Sequence, residues 1–167
     1  SSLGDWVVDK NKLPNGIEGL LSDAKKHGVK FGIWIEPEMA NTTSELYEKH
    51  PDWVLKASER DVVLGRGGTQ VVLDLANPAV QDFVFGVVDN LMTSYPEIDY
   101  IKWDANMSVQ NHGSQYLTKD NQSHMYIEFH RGFEKICQRI RAKYPDLTIQ
   151  ACASGGGRAN YGVMPYF

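Results

Sequence analysis

A helix followed closely by a short apolar strand recurs three times along this chain, and this repetition restricts the possible folds more than any other feature. Each helix carries apolar residues at helical spacing, and each strand is a short apolar run. The predicted helices span residues 17–27, 78–95 and 123–144, and the strands that follow them span 30–35, 100–104 and 147–152. Strands that alternate with helices in this way are typical of a parallel sheet built from βαβ units.

The two faces of the predicted strands differ in polarity. In the first strand Phe31, Ile33 and Ile35 share an apolar face, whereas Trp34 and Glu36 lie on the opposite face. The last strand alternates in the same manner. A strand between two helix layers is apolar on both faces, but a barrel strand can direct polar groups into the mouth of the barrel. The pattern therefore predicts an α/β fold of the (β/α)8 TIM barrel type.

The chain is short for such a barrel. A (β/α)8 barrel takes about 250 residues, and these 167 residues supply three clear strands. We therefore expect residues 1–167 to be the central part of a single barrel domain, about three βα units, with the flanking barrel strands and any accessory β domains outside this segment.

Charge and composition favour a small-molecule partner. The net charge is −4, and Lys and Arg are scattered, so neither a nucleic-acid surface nor a membrane patch is indicated. No apolar run approaches the roughly 20 residues of a membrane span, and the first ten residues lack the order of a signal peptide, which predicts a soluble chain of unassigned compartment. Two cysteines do not suggest a disulfide framework, and the five histidines lack metal-ligand spacing. We expect no metal and no cofactor.

The unusual residue clusters follow the predicted strands, where barrel enzymes keep their active sites. The strand Ile98-Asp99-Tyr100-Ile101-Lys102-Trp103-Asp104 places Lys102 and Asp104 on one face. The lysine would hold the carboxylate ionised and could bind a polar substrate, although a surface ion pair that caps the strand is the alternative. Similar clusters, residues 34–38 and 152–158, lie at the ends of the other two strands. Because all three clusters lie at the same ends of their strands, an active site is favoured over a surface ion pair.

The motifs of this chain resemble those of the α-galactosidases of glycoside hydrolase family 36 over essentially its whole length. The resemblance lies in Leu3-Gly4-Asp5-Trp6, Lys12-Leu13-Pro14-Asn15-Gly16, Phe31-Gly32-Ile33-Trp34-Ile35-Glu36-Pro37-Glu38-Met39, His50-Pro51-Asp52-Trp53, Leu73-Asp74-Leu75, Tyr100-Ile101-Lys102-Trp103-Asp104 and Cys152-Ala153-Ser154-Gly155-Gly156-Gly157-Arg158. It implies a retaining exo-glycosidase that removes terminal α-linked galactose from oligosaccharides of the raffinose and melibiose type through a covalent galactosyl-enzyme.

The resemblance also implies roles for individual residues. Asp104 would be the nucleophile, and the acid/base would lie beyond Phe167. The residues that would line the galactose pocket are Trp34, Arg66, Lys102, Cys152 and Gly155. Asn106 could donate to the galactose 2-hydroxyl or shape the loop. Relatives are often homo-oligomers, but no feature of this sequence defines such an interface.

Several residues also have simpler readings. Trp34 could be packing rather than a sugar platform, and Arg66 could be a surface charge. Glu36 and Glu38 resemble an acid/base pair, but we expect structural roles for them. Relatives commonly have a larger apolar residue and an arginine at the positions of Ala105 and Met107.

Three functions remain open from the sequence. Hydrolysis of α-galactosides leads, and galactosyl transfer of the raffinose-synthase type is the alternative. Because the acid/base partner is expected elsewhere, residues 1–167 alone are expected to be inactive, and a non-catalytic carbohydrate-binding segment is a third reading.

Overall fold

The computed structural model describes residues 2–110 and 112–167. The elements in chain order are α1 (Gly16–Lys26), β1 (Phe31–Ile35), β2 (Met39–Asn41), α2 (Glu45–Lys49), β3 (Gln70–Val72), α3 (Pro78–Ser94), β4 (Ile98–Trp103), α4 (Met125–Lys143) and β5 (Thr148–Ala151). Short 3-10 helices occupy Pro51–Trp53, Lys119–His124 and Met164–Tyr166. The three predicted helix–strand units are confirmed, with boundaries within two residues of those expected. In this part of the chain no helix is long and apolar enough to cross a membrane.

Local sequence signals explain where the helices begin and end. The side chain of Asn77 accepts a hydrogen bond from the Ala79 N–H at 2.9 Å, and Pro78 occupies the first turn of α3, where its missing N–H costs nothing. Gly28 follows α1 with a φ of +66°, a left-handed conformation that glycine adopts without strain.

The central sheet is parallel and has the strand order β1-β4-β5. Its register aligns Trp34 with Lys102 and Lys102 with Gln150, so these three side chains form one row across the sheet. On the opposite face, Ile101 and Trp103 are at most 1% exposed and belong to the core that also contains residues of α3 and α4. The sheet is therefore covered by helices on one face and carries polar side chains on the other.

The segment between β1 and α3 contains further secondary structure that the sequence pattern did not predict. Strand β2 pairs antiparallel with β3, and α2 is capped by Ser44, whose hydroxyl accepts from the Tyr47 N–H at 3.1 Å. Apolar residues of this segment are fully buried, among them Met39, Ala40, Val71, Leu73 and Leu75. Strands of three residues are too short to give a periodic signal, which is why the pattern missed them.

Candidate active site

Asp104 lies directly beyond β4, at the carboxyl edge of the parallel sheet. Its backbone N–H donates to the Ile35 carbonyl at 2.8 Å, and the backbone N–H of Cys152 donates to the Trp103 carbonyl at 2.8 Å. These bonds extend the pairing of the three strands by one residue. The side chains that follow β1, β4 and β5 are thereby brought together at one end of the sheet.

The carboxylate of Asp104 is 6% exposed and surrounded by neutral hydrogen-bond donors. The Trp34 indole Nε1 donates to Oδ2 at 3.1 Å, and the Ala105 backbone N–H donates to Oδ1 at 2.9 Å. Burial alone would raise the pKa of Asp104, but the side chains of Asn106, Trp34 and Cys152 and the Ala105 N–H lower it to about 2. Asp104 is therefore ionised at neutral pH.

Neutral donors, rather than Lys102, make the largest contributions to the ionisation of Asp104. The groups that lower the pKa of Asp104 are the neutral donors, whereas Lys102 lies half-buried in the sheet row between Trp34 and Gln150. Positions two residues apart on a strand are separated by about 7 Å, so donors arriving from neighbouring strand ends approach more closely. Trp34, which is aligned with Lys102, bonds Asp104, and this agrees with a shared face for Lys102 and Asp104; the largest contributions to the ionisation come from the neutral donors.

Glu36 fixes the chain just after Asp104. It is 2% exposed, and its Oε1 accepts the Asn106 backbone N–H at 2.5 Å while its Oε2 accepts the Gln70 side-chain amide at 3.1 Å. The Ser154 hydroxyl lies 3.3 Å from the Asn106 side-chain oxygen. This bonding agrees with the structural role expected for Glu36, and it orients Asn106 so that its side chain reaches Asp104.

Residues 152–158, hereafter the glycine loop, follow β5 beside Asp104. The Cys152 side chain is a hydrogen-bond partner of Asp104, and the Ala153 N–H donates to the Gly155 carbonyl at 3.0 Å. Gly155 has a φ of +99°, and a Cβ added there would meet nothing within 4 Å. Glycine is thus required at 155 by the backbone conformation rather than by a shortage of space.

Arg66 lies at the exposed tip of the turn that connects to β3. The Gly65 N–H donates to the Gln70 carbonyl at 2.8 Å, which closes the turn, and Arg66 has a left-handed φ of +50°. A Cβ added at Gly65 would lie 2.6 Å from the Met107 sulfur. The turn therefore packs against the segment that follows Asp104, and a contact between Arg66 and a sugar stays a prediction.

The described residues hold no cluster of three or more His, Cys, Asp or Glu side chains that could bind a metal ion. Chemically, the site offers an ionised carboxylate, neutral donors and an indole ring that is 42% exposed at Trp34. An ionised, buried carboxylate next to a partly exposed aromatic face suits a polar ligand with an apolar ring face, such as a sugar.

Comparison with known proteins identifies the family. The whole chain, residues 1–167, matches Melibiase. It is 42% identical over 164 residues to alpha-galactosidase 2 of Pediococcus pentosaceus and 38% identical over 165 residues to alpha-galactosidase AgaA of Geobacillus stearothermophilus. These matches cover 98% and 99% of this chain but 22% of each relative, so the chain spans about a fifth of their length.

Solved structures give the same result. The alpha-galactosidase from Lactobacillus brevis matches with a TM-score of 0.92 at 40% identity, over 99% of this chain and 22% of that chain. AgaA matches with a TM-score of 0.92 at 37% identity, over 99% of this chain and 23% of that chain. Variants of AgaA have been crystallised in complex with raffinose and with stachyose. This chain, with its α/β fold and its motifs at the strand ends, belongs to the Melibiase family of glycoside hydrolase family 36 α-galactosidases.

Proposed function

We propose that Asp104 is the nucleophile of a retaining α-galactosidase that hydrolyses terminal α-linked galactose through a covalent galactosyl-Asp intermediate. The observation that carries this proposal is the state of Asp104, a carboxylate at the carboxyl edge of the sheet whose pKa is lowered to about 2 by neutral donors. Such a carboxylate is ionised, and none of the described residues forms an ion pair with it. The names of the relatives, which are α-galactosidases, supply the reaction class.

In the first step an oxygen of Asp104 attacks the anomeric carbon of the galactoside. A bond forms between this carbon and the carboxylate while the glycosidic bond breaks, and a second carboxyl group gives its proton to the leaving oxygen. In the second step the same group takes a proton from water, the water oxygen bonds to the anomeric carbon, and Asp104 is released. Retaining enzymes place the two carboxyl groups about 5 Å apart, and we propose that the second one lies outside residues 1–167.

The remaining site residues bind and orient the sugar in this proposal. Trp34 presents its exposed ring to the C–H face of galactose, and Lys102, in the same row of the sheet, donates to hydroxyl groups. Gly155 brings the backbone of the glycine loop close to the ligand, and Asn106 donates to the 2-hydroxyl. Arg66 reaches the sugar from its turn.

We further propose that residues 1–167 belong to a single (β/α)8 catalytic barrel domain. Three consecutive strands of the parallel sheet are spatial neighbours, and helices cover one face of that sheet. The other face, with Trp34, Lys102 and Gln150, would line the barrel interior. The raffinose and stachyose bound by AgaA variants support the proposed substrate class.

The test is azide rescue of the Asp104→Gly variant in the full-length protein, assayed on an aryl α-galactoside. Rescued turnover that yields β-galactosyl azide supports the proposal, because azide then attacks from the side that the carboxylate had occupied. Asp146→Gly, which removes an exposed carboxyl before β5, is the control and should remain active without azide. An active Asp104→Gly variant, or a folded variant without rescue, contradicts the role of Asp104. The wild-type protein is assayed separately with an added sugar acceptor. If it transfers galactose only to that acceptor and releases no free galactose, the proposed hydrolysis is contradicted.

A further inference from the structure

A buried ion pair lies behind the site, on the helix side of the sheet. Arg158 donates from Nη1 to Glu38 Oε1 at 2.6 Å and from Nη2 to Oε2 at 3.0 Å, although the two residues are 120 positions apart. The Glu38 side chain is 1% exposed and that of Arg158 is 16% exposed. A guanidinium that binds both oxygens of a carboxylate fixes direction as well as distance.

The same pair is tied to the end of β4. The Trp103 indole Nε1 donates to Glu38 Oε1 at 2.7 Å, and Trp103 immediately precedes Asp104. The Arg158 guanidinium lies 4.3 Å from the centre of the Phe133 ring, and this ring contacts Trp103 edge-on at 5.8 Å. Glu38, Trp103, Phe133 and Arg158 thus form a closed group that joins the connection between β1 and β2, strand β4, helix α4 and the far end of the glycine loop.

The glycine loop needs an anchor at that end. Residues 154–157 are exposed, three of them are glycines, and Ser154 has a left-handed φ of +49°. A cavity of about 330 Å³ lies beside the loop, lined by Met107, Phe129 and Ser154 as well as by Glu38 and Arg158. The middle of the loop is held by its own backbone hydrogen bonds and by the Ser154–Asn106 contact, and the cavity leaves the rest of its support to its two ends. Cys152 is held by β4, and Arg158 is held by Glu38.

We infer that the Glu38–Arg158 pair is a positioning clasp that holds the glycine loop against Asp104, an inference that rests on the proposed α-galactosidase function. Neither residue touches the sugar in this arrangement. The clasp acts through the loop by keeping the Ser154 hydroxyl near Asn106 and the Gly155 backbone at the ligand.

The experiment separates an effect on the position of the glycine loop from a loss of protein stability, and for this purpose both charges of the pair are removed together. Glu38→Gln with Arg158→Met leaves no buried charge unpaired and keeps an acceptor for Trp103, so this double variant should fold. Arg158→Lys is the second variant, because it keeps the charge but loses the two-point contact. The control is Arg139→Lys, since Arg139 also pairs with a carboxylate (Asp82, 2.7 Å) and lies 4.2 Å from the centre of an aromatic ring, but at an exposed position.

The first readout is the rate at which iodoacetamide alkylates each cysteine in the full-length protein, resolved by peptide mass spectrometry. Release of the loop should raise the rate at Cys152 about tenfold more than the rate at Cys137, which is buried in α4 and within electrostatic reach of both Glu38 and Arg158. A general loss of stability would raise both rates together. The second readout is the kinetics on an aryl α-galactoside, where KM should rise about tenfold or more and kcat should change by less than about threefold.

Either readout can overturn the inference. Cysteine rates that rise together, or a Cys152 rate at the wild-type level in both Glu38/Arg158 variants, show that the pair does not hold the loop. A KM at the wild-type level shows that holding the loop has no bearing on the site. A wild-type protein without α-galactosidase activity contradicts the proposed function instead, and the alkylation rates still decide whether the pair holds the loop.

Discussion

The charge on Asp104 should contribute to stability in a way that depends on pH. Its carboxyl pKa falls from the ordinary 3.8 to about 2 in the folded chain because of the donors around it. At about 1.36 kcal/mol per pKa unit, this difference corresponds to about 2.5 kcal/mol of stability. Because the folded pKa is the lower one, the contribution is fully present above pH 5 and is lost as the pH falls. About 1 kcal/mol of it should be lost at pH 3.

The perturbation that isolates this contribution is Asp104→Asn, which keeps the side-chain size but cannot ionise. The amide group adds a cost that does not depend on pH, so the informative quantity is how the stability difference between the two proteins changes with pH. We expect this difference to narrow by about 1 kcal/mol between pH 7 and pH 3. Urea unfolding at 25 °C, followed by tryptophan fluorescence at both pH values, measures it, and the groups common to both proteins cancel.

Removing one hydrogen-bond donor should reduce the pH-dependent contribution of Asp104 to stability. Trp34→Phe keeps an aromatic ring but deletes the N–H that lies 3.1 Å from Asp104 Oδ2, so the pKa of Asp104 should rise. The stability difference between Trp34→Phe and the double variant Trp34→Phe/Asp104→Asn should therefore change less between pH 7 and pH 3 than the same difference in the wild-type background. Trp53→Phe is the control, because Trp53 stacks on His50 in a separate 3-10 helix. A stability difference that is the same at pH 7 and pH 3 would refute the reasoning that the donors outweigh burial at Asp104.

Three further substitutions test the packing around the site, each measured by urea unfolding of the variant beside the wild type. Ser114→Ala removes the hydroxyl that donates to the Asp74 carboxyl, which is fully buried and has a pKa raised by burial. This substitution should lower the free energy of unfolding by about 1–3 kcal/mol. An unchanged free energy of unfolding would mean that the Ser114–Asp74 bond does not stabilise the fold. Gly132→Ala in α4 places a Cβ 1.9 Å from the Leu75 carbonyl oxygen and should cost about 1–3 kcal/mol or more. Gly86→Ala in α3 meets nothing within 4 Å and should instead stabilise the helix by about 0.8–1 kcal/mol, so equal effects at the two glycines would contradict the packing described here.

The parts of the fold that were predictable are those set by residues close in sequence. The three helix–strand units follow from local periodicity, from a capping residue such as Asn77, and from stop signals such as Gly28. Strand parity predicted an apolar face and a polar face within a strand because side-chain alternation is a property of the backbone, whereas the register that aligns Trp34 with Lys102 is seen only in the structure.

The parts that were missed depend on contacts between distant residues. The donors that ionise Asp104 include Trp34, which is 70 residues away, and no pattern within one strand can reveal that approach. Arg158 lies in a motif that the sequence analysis quoted, but its partner Glu38 is 120 residues distant. Which side chains bond to each other depends on how the strand ends are arranged in space. The sequence indicates only that the strand ends lie at the same edge of the sheet.

The carboxylates at this end of the sheet are distinguished by their partners. Both oxygens of Glu38 are bonded by the Arg158 guanidinium, and Glu36 accepts a backbone N–H and a side-chain amide; both glutamates are at most 2% exposed. Asp104, like Glu36, is bonded by neutral donors, but one of its donors belongs to the half-exposed Trp34. A carboxylate kept ionised without a bonded cation retains its full charge for the positive anomeric carbon that develops in the transition state. The bonded cation therefore argues against Glu38, and the enclosed bonds of Glu36 to Asn106 and Gln70 argue for a positioning role, which supports the proposal that Asp104 is the nucleophile.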